Sequence, residues 1–124
     1  MKVRGGGRVA NISSCAAFRA SRSRIQAYCA SKPAVRGLTR QLAMELGRFG
    51  VTVNTVAPGL VLTDADKQAS WDAMGGERRG IALGAIALGR PGPAEDIADA
   101  TLFLAAGPAG LLSGQMLPVN GGSF

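Results

Sequence analysis

Histidine is absent from this chain. Its absence removes a Ser-His-Asp triad, a Cys-His pair and most zinc sites, and no metal site is expected. There are only two cysteines, Cys15 and Cys29. No apolar leader with a small-residue cleavage site opens the chain, so reduced thiols in a cytoplasmic protein are expected. Both cysteines read as small space-filling residues rather than a redox pair. No apolar run approaches the roughly 20 residues that cross a bilayer, so no membrane partner is expected. Aromatic residues are scarce, with one tryptophan, Trp71, and one tyrosine, Tyr28. A phenolic proton donor therefore has a single candidate.

Acidic residues are outnumbered, 8 against 14 basic ones, giving a net charge of +6. That balance raises nucleic acid as a partner. The basic residues are scattered, however, and the only cluster is Arg19, Arg22 and Arg24. No aromatics interleave with it to stack on bases, so no nucleic-acid partner is expected. The cluster reads as a solvated loop, or as a lure for an anionic substrate.

What is present is a globular composition, 47% hydrophobic with a mean hydropathy of +0.17, in a length that allows one domain. Residues 1–7 read as a loop. Their glycines precede a strand instead of following one, which rules out a dinucleotide-binding turn. Val9-Ala10-Asn11-Ile12 is a short apolar run, read as a buried parallel strand over 8–14. From 26 to 49 the pattern is helical, with Ala27, Ala30, Ala34, Leu38, Leu42 and Leu46 as its apolar stripe and Gly50 as its cap. Pro33 violates that pattern and predicts a kink, or a helix regular only beyond it. Residues 51–57 read as a second strand, stopped by Pro58-Gly59. A polar stretch to about Gly80, holding Trp71, reads as a lid with one or two short helices. A weak helix near 81–88 follows. Pro93 opens a further helix with Glu95, Asp96 and Asp99 at its start. A last strand runs over 114–120. Strand, helix, strand, lid, helix, strand implies an α/β fold with a parallel sheet of three strands and crossover helices.

The chemistry concentrates between Ser14 and Lys32. Tyr28 and Lys32, four apart on a helix, share one face a turn from each other. A free phenol ionises near pH 10, and an ammonium beside it favours the phenolate. Such a pair can pass a proton to or from an alcohol or carbonyl. A serine at the end of the preceding strand can hold the substrate oxygen meanwhile.

Asn11-Ile12-Ser13-Ser14, then Tyr28-x-x-x-Lys32, then Val53-Asn54-Thr55-Val56-Ala57-Pro58-Gly59 together resemble the short-chain dehydrogenase/reductase family. Three signals in the right order are far more specific than any one. The resemblance spans the whole chain but matches the second half of the family's domain. It implies a partial Rossmann-type, doubly wound parallel sheet, with 1–124 as the C-terminal half of a single domain. The second crossover is then left-handed, which puts the last helix on the opposite face. It also implies NAD or NADP as cofactor, an alcohol or carbonyl substrate, and a homo-oligomer at full length. Ser14 would orient substrate, Tyr28 would be the acid/base, and Lys32 would bind the nicotinamide ribose. Pro58, Gly59, Val61 and Thr63 match the segment that contacts the nicotinamide and phosphates. Gly89-Arg90, Ser113-Gly114-Gln115 and Val119-Asn120-Gly121-Gly122 fit as well, with Asn120 where aspartate is more usual.

The pyrophosphate turn and the residue that reads the adenosine ribose are not among these residues. The sequence therefore reads as a fragment, inactive alone, with an open sheet edge and an exposed apolar patch. The alternative is a non-catalytic remnant, or an interaction module pairing with a full-length relative.

Overall fold

A computed structural model describes residues 1–20 and 24–123. Three strands form one parallel sheet in the order β1 (Gly7–Ile12), β2 (Val51–Pro58), β5 (Met116–Val119). The β-branched run of β2 explains its place at the centre. It is covered on both faces and every residue from Val51 to Ala57 is buried. Register runs Gly7↔Val51 through Ile12↔Val56 on one side, and Thr55↔Met116 through Pro58↔Val119 on the other.

Alternation along the strands assigns the two faces. Asn11 and Thr55 meet Thr39 of helix α1 (Gln26–Leu46). Ala10 and Val56 meet Leu104, Ile97 and Ala100 of helix α4 (Ala94–Ala105). Both crossovers step the same way across the sheet, yet their helices cover opposite faces. Two such crossovers must be of opposite hand, as the family resemblance implies and the general right-handed rule does not.

Helix α1 departs from its sequence reading in two ways. It passes through Pro33 without interruption. Its sheet-facing line is Lys32, Val35, Thr39, Leu42 and Leu46, in steps of three and four. The first part of the expected stripe turns outward, with Ala27, Ala30 and Ala34 exposed and Leu38 54% exposed, while Leu42 and Leu46 face inward as expected. The sequence carries two apolar lines, and the hydroxyl of Thr39, bonded to Asn11 and Thr55, selects the inner one. A 3-10 turn over Gly47–Phe49 and left-handed Gly50 end the helix.

Between β2 and α4 lies an excursion closed at its base by a short parallel pair, β3 (Val61–Leu62) with β4 (Gly92–Pro93). It holds two helices, α2 (Ala65–Asp72) and α3 (Gly76–Gly84). Arg79 staples them: its guanidinium donates to the Asp72 carbonyl and, at 2.8 Å, to the Met74 carbonyl. The same group stands 6.0 Å from the Trp71 ring centroid. The weak helix expected over 81–88 is thus the end of α3 and the turns after it. Among the described residues no helix is long and apolar enough to cross a membrane.

The excursion returns against the C-terminal tail, where Leu88 N–H donates to the Gly121 carbonyl at 3.0 Å. Gly121 has φ +64°, and a Cβ there would lie 2.8 Å from Ile86 Cγ2. Gly121→Ala is expected to cost about 1–3 kcal/mol through strain and overpacking, read as a lowered Tm.

Candidate active site

The catalytic candidates gather at the carboxyl edge of the sheet, where open α/β sheets place their chemistry. Strand β1 ends in two serines with different surroundings. Ser13 is 3% exposed, takes its place in the sheet by donating its N–H to the Val56 carbonyl, and spends its hydroxyl on the Lys32 carbonyl at 2.9 Å. Ser14 begins the 3-10 turn Cys15–Ala17, and its Oγ accepts from the Ala16 N–H at 3.2 Å. Accepting that bond leaves the Ser14 hydroxyl proton available to a substrate oxygen. The geometry thus separates a structural serine from an available one.

Tyr28 and Lys32 lie on the first two turns of α1. The Lys32 ammonium stands 5.1 Å from the centroid of the Tyr28 ring, within cation–π range. Tyr28 is 43% exposed, open to an incoming molecule. Among the described residues Lys32 has no carboxylate partner; the one ion pair found is Arg90–Asp96 at 3.8 Å. The only acidic residue before Asp64 is Glu45 on the same helix, which receives Gln41 at 2.7 Å. Among the described residues the three ammonium donors meet no acceptor, which suits them to hydroxyl oxygens.

Pro58 and Gly59 end β2, and Gly59 N–H donates to the Val119 carbonyl at 2.9 Å. A Cβ on Gly59 would come within 2.8 Å of Asn120, so no larger residue fits. Val61 is half-buried in β3. The Thr63 hydroxyl donates to Asp64 Oδ2 at 2.6 Å, so contact with a phosphate requires releasing that bond. Asp64 in turn caps α2 by accepting the Lys67 N–H at 2.8 Å. The Thr63 hydrogen bond, and then the Lys67 amide, hold the Asp64 carboxyl below the usual carboxylate range. A depressed value means the cap stabilises α2 fully above the ordinary aspartate range. That contribution is lost as pH falls through the folded-state value. Amide exchange in 65–72, corrected for intrinsic pH dependence, is expected to quicken over that acidic window in the wild type and not in Asp64→Asn.

A cavity of about 430 Å³ is lined by Val61, Leu88, Arg90, Asp96, Val119 and Asn120, among others. It touches none of Ser14, Tyr28 or Lys32.

Several residues near the site were not legible as site residues. Arg19 donates to the hydroxyl of Ser123, which is buried, and so ties the loop after Ser14 to the C-terminal tail. Of its cluster, Arg24 is exposed and Arg22 lies outside the described residues. Asn120 uses both ends of its amide: Nδ2 donates to the Ser123 carbonyl at 2.8 Å and Oδ1 accepts the Gly122 N–H at 3.0 Å. An aspartate could not donate there. Cys15 is buried, its Sγ 3.4 Å from the Ala57 carbonyl, and burial pushes its thiol up, as befits packing and not reactivity.

Comparison with known proteins fits this arrangement. The family model described as enoyl-(acyl carrier protein) reductase matches residues 1–123. The chain belongs to the short-chain dehydrogenase/reductase family. It is 39% identical over 116 residues to the 3-oxoacyl-(acyl-carrier-protein) reductase FabG of Rickettsia conorii, covering 94% of this chain and 46% of that protein. A short-chain type dehydrogenase/reductase from Mycobacterium ulcerans superposes with a TM-score of 0.87 at 35% identity, covering 99% of this chain and 43% of that one. The gluconate 5-dehydrogenase of Burkholderia cenocepacia, solved in complex with NADP and tartrate, gives 0.85 at 30% identity, covering 98% of this chain and 46% of that one. The chain thus spans about half the length of the relatives it matches.

Proposed function

We propose that the full-length protein is an NAD(P)-dependent oxidoreductase acting between an alcohol and a ketone, and that residues 1–124 form the C-terminal half of its single catalytic domain. The observation that carries this is the Lys32 ammonium over the Tyr28 ring, next to the strand end that presents Ser14. When bound, the nicotinamide supplies or accepts hydride. Ser14 holds the substrate oxygen by donating its free hydroxyl proton. Tyr28 gives a proton to that oxygen in reduction and takes it back in oxidation. Lys32 holds the Tyr28 ring and offers its unpaired donors to the nicotinamide ribose.

The residues present suit the nicotinamide end of the cofactor. Pro58 and Gly59 stand at the strand terminus, Val61 supplies an apolar wall, and Thr63 would reach a phosphate once released from Asp64. The named relatives work on a 3-oxoacyl-(acyl-carrier-protein) and on gluconate, which supports a small-molecule alcohol or carbonyl as substrate class. A homo-oligomer in the cytoplasm fits the same reading. The outward apolar line Ala27, Ala30, Ala34 and Leu38 favours a second one, an interaction module that pairs with a relative.

The deciding experiment is NAD(P)H turnover by the full-length protein across a panel of ketones, with cofactor titration alongside. Saturable turnover abolished in the Tyr28 variant supports the enzyme. A folded protein that neither binds cofactor nor turns over leaves the interaction module.

A further inference from the structure

Helix α1 carries both proton-transfer residues, yet its site end is thinly held. From Gln26 to Ala34 only Cys29 and Lys32 are even half-buried. Pro33 has no N–H, so the Cys29 carbonyl lacks its helical donor at that turn. Firm anchorage comes at Thr39, fully buried, which accepts from Asn11 Nδ2 at 2.9 Å and meets Thr55 Oγ1 at 2.6 Å. Thr39 lies seven helical steps beyond Lys32, about 10 Å of helix at 1.5 Å per residue.

Among the described residues one side-chain hydrogen bond ties the site end to the sheet. The Ser13 hydroxyl donates to the Lys32 carbonyl at 2.9 Å. Ser13 is itself fixed, since its N–H donates to the Val56 carbonyl at 2.8 Å within the central strand pairing. A buried hydroxyl has no water to turn to, so leaving it unpaired is costly and the bond is retained. Ser13 is also the residue next to Ser14. A single peptide link therefore joins the group that grips Lys32 to the group that faces substrate.

We propose that Ser13 is a positioning residue. Through the Lys32 carbonyl it sets where the first two turns of α1, and with them Tyr28 and Lys32, stand relative to Ser14. It touches no reacting atom. Its consequence for rate rests on the oxidoreductase reading above; its effect on the helix does not.

The test uses the full-length protein and Ser13→Ala, with two readouts. Hydrogen exchange of amides in 26–34 is expected to quicken about fivefold or more, while 39–46, held by Thr39, keeps its wild-type rate. Where the wild type turns over ketones, kcat is expected to fall about tenfold or more, with cofactor Kd and ketone KM within about threefold, because misplacement costs rate before it costs binding. Wild-type exchange in 26–34 would overturn the proposal, as would unchanged kcat in an active enzyme. A wild type without turnover removes the oxidoreductase reading alone, and exchange then decides the tie. If Ser13→Ala does not fold, Ser13→Cys, of similar size and a weaker donor, is read the same way. Failure of both to fold would make the bond a contact of the whole fold, and the positioning role would be overturned.

Discussion

Tyr28→Phe in the full-length protein is expected to lower kcat by about 10²–10⁴-fold, the usual worth of a positioned acid/base, while cofactor Kd changes less than about threefold. The chain offers no second phenol and no imidazole to take over the role. There is no histidine, Tyr28 is the sole tyrosine of the chain, and Ser14 is a hydroxyl without a base of its own. Phenylalanine keeps the ring, and so keeps the surface over which the Lys32 ammonium lies at 5.1 Å. The cation is therefore left in place to meet the ribose. Lys32→Ala is expected to behave differently, raising cofactor Kd and lowering kcat together, because in the proposed site one ammonium serves both ring and ribose. Cofactor titration beside steady-state kinetics separates the two patterns. A Tyr28→Phe enzyme with ordinary turnover would remove the acid/base assignment.

A polypeptide of residues 1–124 alone is expected to bind neither NAD nor NADP more tightly than millimolar. On the proposed reading these residues hold the nicotinamide end of a site, and they include no glycine-rich turn for the pyrophosphate. In dinucleotide folds much of the grip comes from that turn and the helix N-terminus behind it. Losing several charge-assisted hydrogen bonds, each about 1.5–3 kcal/mol, carries a micromolar site past the millimolar range. Support is also thin. Ile12, at the end of edge strand β1, and Leu38 on α1 are both about half exposed. A catalytic group on a loosely held element loses precision. Calorimetric titration with each cofactor checks the expectation. Saturable micromolar binding would show that the pyrophosphate turn is dispensable.

Much of the site was readable locally. The spacing from Tyr28 to Lys32 is a helical turn by itself, and a serine pair after an apolar run marks a strand end. The order of strands and helices followed from β-branched runs, three-and-four periodicity and glycine or proline breaks. The lid helices were vaguer, because α2 and α3 are short, polar and stapled by Arg79 to carbonyls that no pattern announces. Arg19 read as a solvated loop for the same reason: its partner, Ser123, lies 104 residues away.

What the sequence by itself determined was the family and the succession of elements. A single phenol, an ammonium a turn away and a serine pair after an apolar run are set by composition or by spacing within a few residues. Tertiary structure alone decided which line of α1 faces the sheet over its first turns and where the Ser13 hydroxyl finds its partner. Those choices depend on hydrogen bonds between distant residues, Thr39 with Thr55 and Ser13 with Lys32, 16 and 19 positions apart. A buried hydroxyl must find a partner wherever the packed chain brings one, and local periodicity contains no record of where that is.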